Sequence, residues 1–203
     1  CQVDVNCSPE GDNFQDENGE TYLLAIDPYY QLRYAENIDR NGHQGDELRD
    51  NRPFDNHMYA PTGNFISPSL HPYLIFGLGK ILDIFQEDSL KRAAFLIPLL
   101  ISALAIIPCF FLTRRLSGNL GGFVSSIILA THGIFLGRTP AGFSDTDAYT
   151  VFFPLLIIWL LFESWITKKP KKKLVLAGLS GIATGLFSFA WVGWWHIFDV
   201  ILC

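Results

Sequence analysis

The chain has 203 residues, of which 49% are hydrophobic and only 17% charged, and its formal net charge of −5 describes neither half of it. Residues 1–90 hold 16 acids against 5 Lys/Arg, whereas residues 91–203 hold 4 acids against 10 Lys/Arg, so an acidic soluble head precedes a basic, apolar body. That division excludes one uniform soluble domain, and the four cysteines, with no C-x-x-C and no zinc-like spacing, exclude a structural zinc framework. The sequence starts at Cys1 and stops inside the apolar run Asp199-Val-Ile-Leu-Cys203, which is expected of a fragment, with a membrane segment before Cys1 missing. Cys1 and Cys7 can pair if the head faces an oxidising compartment. Cys109, inside an apolar run, is expected to be a small buried hydrophobe.

Residues 1–20, rich in Gly, Asn, Asp and Glu, are expected to be loop. Asp27-Pro28 is a helix start, with Asp27 read as the N-cap and Pro28 as the first helical residue. Leu32, Ala35 and Ile38 then share one face. Residues 40–72 carry so many Asn, Gly, Asp, Pro and His that they read as mostly loop and turn. Leu70 to Phe85 is apolar but interrupted by Lys80 and Asp83, which suits an interfacial or re-entrant helix better than a spanning one.

Four spanning runs follow, at 93–112, 116–137, 148–166 and 174–198, each near the roughly 20 residues that a ~30 Å hydrocarbon core demands. They lack the alternation of barrel strands and are therefore read as helices, with Pro98, Pro108 and Pro154 tolerated by neighbouring helices. The fold class is an all-α polytopic membrane protein, with residues 1–90 as a large first outer loop and 91–203 as the transmembrane region. Arg114-Arg115 and Lys168–Lys173 mark two cytoplasmic turns by the positive-inside bias, so the head and the loop holding Asp145 and Asp147 share the outer face. The aromatic cluster Trp191–Trp195 marks the outer interface.

Asp145 and Asp147 stand at i and i+2 in a short polar break. In an extended segment both carboxylates face one side and can hold one hard cation, Mg²⁺ or Mn²⁺, with positions left for phosphate. The bland reading of Asp147, and of Asp27, is a helix cap. Arg138 is read either as a donor-phosphate contact or as a loop-structuring arginine, with Arg33 weaker in that role. His132 is read as a helix–helix hydrogen-bond partner within the second run, and Glu163 as a partner of nearby lysines. His57 and His71 are assigned structural roles, and the lysine run an orientation signal with lipid contact as a side effect.

Two signatures in this order resemble those of the oligosaccharyltransferase catalytic subunit, in its archaeal, single-subunit form. One is Asp27-Pro-Tyr-Tyr-Gln-Leu-Arg33; the other is Arg138-x-x-x-Gly142-x-x-Asp145-x-Asp147 before a helix containing Phe153-Pro154-Leu155-Leu156. Tyr59-Ala-Pro61-Thr-Gly63 and His71-Pro72 also look like the family's stretch after the first signature. The resemblance implies a GT-C-type membrane fold and a metal-dependent glycosyltransferase. It implies that Asp27, Asp145 and Asp147 together hold one divalent ion, Mn²⁺ or Mg²⁺, with Asp27 also approaching the acceptor amide. The implied partners are a dolichyl phosphate or diphosphate oligosaccharide, a polypeptide with an Asn-x-Ser/Thr sequon, and membrane lipids; no nucleic acid is expected. The implied location is multi-pass, with the active site extracytoplasmic, at the cell membrane in a prokaryote or in the endoplasmic reticulum lumen in a eukaryote. A further catalytic Glu and a Trp-Trp-Asp sequon-reading motif are expected beyond Cys203, so this piece alone is expected to be inactive. The rival readings are a protein O-mannosyltransferase, and a non-enzymatic cation-binding membrane subunit, against which Glu163 stands as the only acid well inside a run.

Overall fold

The computed structural model describes residues 14–15, 21–84 and 89–202; the Cys1–Cys7 pairing and Phe85 lie outside them. Helix α1, Asp27–Asn41, begins at Asp27 itself. The residue before it, Ile26, already has helical backbone angles, and no side chain caps the helix. The expected Asp27 N-cap is thus corrected: the carboxylate is not consumed by its own helix and is exposed. Gly42, at φ 77°, ends α1 in the left-handed conformation, where glycine carries no Cβ penalty. Leu32, Ala35 and Ile38 are buried together as the spacing requires.

Residues 40–72 are more ordered than the sequence suggested. Strands β1 (Glu47–Arg49), β2 (Arg52–Asp55) and β3 (Asn64–Phe65) form an antiparallel sheet in that order. Arg49 pairs with Arg52 across a two-residue turn, Asp50-Asn51, whose φ values of 50° and 58° match the twist of a tight hairpin. Arg33 fastens this sheet to α1. Its guanidinium donates to both oxygens of Asp46 at 2.9 Å and to Asp55 Oδ2 at 2.6 Å, and the Tyr34 hydroxyl donates to the same Asp55 oxygen at 2.7 Å. Asp55 is only 2% exposed. Burial pushes its carboxyl up, but Arg33, Tyr34 and the His57 N–H outweigh burial and hold it well below the usual carboxylate range.

Helix α2, Leu70–Leu82, turns His71, Pro72, Ile75 and Gly79 inward. The two charges that interrupt its apolar run pair off: Lys80 meets Asp39 of α1 at 2.6 Å and Asp83 at 3.6 Å. Helix α3 runs from Ser89 to Thr131, 43 residues, with a break at Ser117 and Gly118 (φ 75°). A straight helix of that length would be about 65 Å long. Instead the two arms lie side by side: a Cβ on Gly122 would come within 3.0 Å of the Phe110 carbonyl and 3.1 Å of Arg114 Cβ. The expected runs 93–112 and 116–137 are therefore the two arms of this bent element, the second ending at Thr131 and its last residues falling in the next, short helix beyond His132. The reversal falls just past Arg114-Arg115, which are themselves helical. Helices α4 (Gly133–Arg138), α5 (Asp147–Ile166), α6 (Pro170–Ala190) and α7 (His196–Leu202) complete the chain. The run 174–198 is interrupted after Ala190 by a turn holding Trp191–Trp195.

Among the described residues three helices, α3, α5 and α6, are long and apolar enough to cross a membrane. They meet through small residues, as expected where lipid removes any hydrophobic drive between helices. Ala93, Ala94, Ala183 and Ala190 are buried in the shared core, and Ser180 Oγ donates to the Ile157 carbonyl at 3.1 Å. An aromatic stack, Tyr149–Phe153–Phe187–Trp191, runs between α5 and α6 with ring centroids 6.0, 5.4 and 5.9 Å apart. At the far end of α5, Glu163 is gripped by Arg115 at 2.5 and 2.9 Å, not by the lysines expected to pair with it. Cys109 is buried and free, as expected.

Removing Asp55 leaves the Arg33 guanidinium and Tyr34 hydroxyl without their shared acceptor. Asp55→Ala is expected to lower unfolding stability by about 3 kcal/mol. Hydrogen exchange should show lost protection in α1 and β2 while α5 and α6 keep theirs.

Candidate active site

Asp27 opens α1 and Asp147 opens α5, so each carboxylate stands at a helix N-terminus, where the aligned peptide dipoles favour negative charge. What brings the two helix starts together is the loop 139–146. Gly142 accepts from the Leu24 N–H at 3.1 Å and donates its own N–H to the Phe95 carbonyl at 3.2 Å. The residue has φ 92°, and a Cβ there would lie 2.7 Å from the Phe95 ring. Only glycine meets both demands at once. The segment leading into Asp27 is thereby stitched to the segment leading into Asp145.

The extended geometry expected for Asp145-Thr-Asp147 is not what the chain adopts. Thr146 has φ −81° and ψ −4°, and Asp147 is already helical. Asp145 Oδ1 accepts the Thr146 N–H at 2.6 Å. No side-chain cap bond is made at the start of α5, so Asp147 is not the cap of the bland reading. The carboxylates still converge electrostatically. Asp147 feels the charges of Asp145, Arg138 and Asp27. The Tyr30 phenol is pushed above its usual range first by burial, then by Asp145 and Asp27. Tyr30 Oη accepts from Gln31 Nε2 at 2.8 Å.

Arg138, the last residue of α4, lies 3.5 Å from Asp147 Oδ2 and packs over the Phe143 ring. One guanidinium against three carboxylates leaves an excess of two negative charges. Together with an all-oxygen donor set, that excess fits a hard divalent ion. Among the described residues, the group whose ligand atoms all lie within 4.8 Å of one another is Asp46, Asp55 and His57, not the three aspartates. In that group Arg33 already supplies the cation. Asp27, Asp145 and Asp147 thus face one another at a longer range, which an ion would have to shorten.

Below this acidic pole lies a groove of ≈720 Å³. Ile128, Leu129, Ile134, Phe135 and Val151 make it apolar, and Arg138 and Asp147 border it. His132 lines the same groove from the bend between α3 and α4, with φ −66° and ψ 119°. It is exposed at a helix break, which corrects its reading as a mid-helix hydrogen-bond partner.

The sequence undervalued His71. It is fully buried, with Nδ1 2.7 Å from Tyr149 Oη and Nε2 2.9 Å from Ser144 Oγ. Ser144 precedes Asp145 and Tyr149 follows Asp147, so one imidazole holds both flanks of the acidic loop from α2. Burial drives its pKa down to about 4, against a small upward pull from Ser144, so at neutral pH it is the neutral ring, with one donor and one acceptor nitrogen.

The N-terminal family model of the oligosaccharyl transferase STT3 matches residues 4–203. The chain belongs to that family. A dolichyl-phosphooligosaccharide-protein glycotransferase of Methanococcus voltae is 34% identical over 201 residues, covering 94% of this chain and 22% of its own length. The protein of the same description from Methanocaldococcus jannaschii is 38% identical over 162 residues, 75% of this chain and 17% of that protein. The chain therefore spans about a fifth of these relatives. Among solved structures, the Archaeoglobus fulgidus oligosaccharyltransferase in complex with Zn and sulfate superposes with a TM-score of 0.74 at 24% identity over 90% of this chain and 23% of that one. The oligosaccharyltransferase of the same organism bound to an inhibitory peptide and a dolichol-phosphate gives 0.73 at 23% identity. The fold is that of this membrane enzyme, and the chain is an integral membrane protein of the family.

A histidine with a depressed folded pKa takes up a proton more readily unfolded than folded, so its contribution to stability is lost as pH falls from about 6.5 toward 4. Wild type should lose on the order of 3 kcal/mol more than His71→Asn between pH 7 and pH 4, read as the difference in their unfolding midpoints in detergent. Parallel curves would show that the ring does not titrate against folding.

Proposed function

We propose that this chain supplies the ion- and donor-binding part of an oligosaccharyltransferase that transfers a dolichyl phosphate- or diphosphate-linked oligosaccharide to Asn in Asn-x-Ser/Thr sequons. The observation that carries the reading is the acidic pole itself: Asp27, Asp145 and Asp147 acting on one another beside Arg138, at the rim of an apolar groove. Its chemistry matches a polyprenyl phosphate, whose chain favours an apolar wall and whose anion requires cationic neutralisation. Names of relatives point the same way. The Methanococcus voltae relative is a dolichyl-phosphooligosaccharide-protein glycotransferase, and the Archaeoglobus fulgidus structures hold Zn and sulfate, or dolichol-phosphate with a peptide.

In this reading the three aspartates are ligands of Mn²⁺ or Mg²⁺, which when bound neutralises charge developing on the leaving phosphate oxygens. Arg138 offers its guanidinium fork to the same phosphate, exchanging Asp147 for it. Asp27, freed from capping, also accepts N–H from the acceptor carboxamide. That nitrogen is a poor nucleophile because its lone pair is delocalised into the carbonyl; a carboxylate drawing on its N–H bonds turns it out of that plane. Attack on the anomeric carbon opposite the departing phosphate gives a β-linked, inverted product. His71, through Ser144 and Tyr149, positions the loop that carries Asp145 and Asp147. The acidic head, residues 1–90, and the aspartate pole lie outside the cytoplasm, and the helices of residues 91–203 occupy the membrane, as the basic turns at the other end of α5 support.

In the enzyme carrying this chain, Asp27→Asn, Asp145→Asn and Asp147→Asn should each reduce glycopeptide formation about 100-fold or more. EDTA should abolish turnover and added Mn²⁺ or Mg²⁺ restore it, with mass spectrometry finding the glycan on Asn. Full turnover in EDTA, or modification of Ser/Thr, would overturn the assignment.

A further inference from the structure

The end of α5 opposite the aspartates presents a second concave site. Glu163 is sixteen residues beyond Asp147 along one helix, about 24 Å away. There the first arm of α3, the last turns of α5 and the first turns of α6 enclose a cleft of ≈430 Å³. Its polar lining is Arg114, Arg115, Lys172 and Glu163, and its apolar walls are Phe111, Trp159 and Leu176.

The charges in this cleft are unequally satisfied. Arg115 and Glu163 neutralise each other through the two-pronged pair at 2.5 and 2.9 Å. Among the described residues no carboxylate lies within ion-pairing distance of Arg114, and Lys172 acts on Glu163 only at a distance. The buried indole N–H of Trp159 closes no well-formed hydrogen bond, and the group it faces is the Glu163 carboxylate. The Trp159 ring stacks on Phe111 with centroids 5.2 Å apart and planes 13° from parallel, which fixes the direction of that N–H. Two cations, the Arg114 guanidinium and the Lys172 ammonium, thus line a concave site whose one carboxylate, Glu163, is already matched by Arg115. A single lysine run on an exposed loop would supply charge without the walls, whereas here the walls are aromatic and aliphatic, and Leu104, Leu179 and Ile182 are exposed farther along α3 and α6.

We propose that this cleft binds the phosphate of an anionic lipid headgroup, with Arg114 and Lys172 as the charge partners and Phe111, Trp159 and Leu176 against the first carbons of the tail. Arg115 and Glu163 form the rigid rear wall, and their mutual neutralisation keeps the carboxylate from repelling the ligand. Phosphate is the recognised chemistry; the apolar walls assign its source to lipid, with free phosphate as the competing source. The site is separate from the donor groove, which opens at the other end of α5.

The test is lipid binding to the detergent-solubilised full-length enzyme carrying this chain, by native mass spectrometry, with phosphatidylglycerol, phosphatidylcholine and inorganic phosphate as probes. Arg114→Gln/Lys172→Gln should weaken phosphatidylglycerol binding about thirtyfold, the effect of two cations near a headgroup. Lys169→Gln/Lys171→Gln removes the same charge outside the cleft and should change it less than twofold. Phosphatidylcholine should bind far more weakly than phosphatidylglycerol. Competition by millimolar inorganic phosphate would assign the cleft to phosphate in general; its failure to compete would assign it to lipid. Equal losses in the two double variants, or equal binding of the two lipids, would overturn the proposal. Unchanged circular dichroism separates loss of the site from loss of fold.

Discussion

Everything functional in this chain hangs on two hydrogen bonds made by one residue. The Gly142 carbonyl takes the Leu24 N–H and the Gly142 N–H goes to the Phe95 carbonyl, which splices the approach to α1, the loop before α5 and the first arm of α3. Asp27 and Asp145 are over a hundred residues apart in sequence, and no side-chain bond between them holds them near. A backbone splice at a left-handed residue does so. The absence of a Cβ is what lets the Phe95 ring close over it, 2.7 Å from where that atom would sit. A buried polar backbone group left unpaired is costly, so the splice also fixes where the loop can lie.

Around that splice the polar and apolar parts of the structure divide the work. His71 reaches from α2 to Ser144 and Tyr149 and so ties the acidic loop to a short helix that itself packs into the apolar core through Ile75. Tyr149 then begins the aromatic stack that continues to Trp191, so a single side chain joins the acidic pole to the packed helices. Helix α5 is consequently polarised end to end. Its N-terminus carries carboxylates against one arginine, and its C-terminus carries a carboxylate enclosed by cations. The two ends suit opposite surfaces of a membrane and two different phosphates.

The sequence was most legible where a single local rule decides the outcome. Apolar runs of membrane length became helices, Cys109 was buried, and Leu32, Ala35 and Ile38 shared a face. It was least legible where conformation depends on a partner far along the chain. The hairpin at Asp50-Asn51 had a local turn signal, but the sheet also needs Arg33 to reach Asp46 and Asp55. The reversal at Ser117-Gly118 was read at the adjacent arginines because charge marks a membrane edge, whereas the backbone turns where glycine allows positive φ. Asp27 and Asp147 looked like caps because residue type favours it; in the fold both stand one position inside their helices, leaving their oxygens available. His71 could be seen as a residue but not as a clamp, since its partners lie 73 and 78 positions away and no spacing rule connects them.

We propose that Asp27, Asp145 and Asp147, from two distant segments, hold one divalent ion because Gly142 splices those segments. Titration of the detergent-solubilised chain with Mn²⁺, followed by electron paramagnetic resonance, tests it directly. One ion should bind per wild-type chain; Gly142→Val, with every carboxylate intact, should bind it at least tenfold more weakly, as expected when support for a ligand set is removed. Gly178→Ala, at a position with no neighbouring atom within 4 Å, should bind like wild type. Binding by Gly142→Val as tight as wild type would show that the splice does not assemble the ion site.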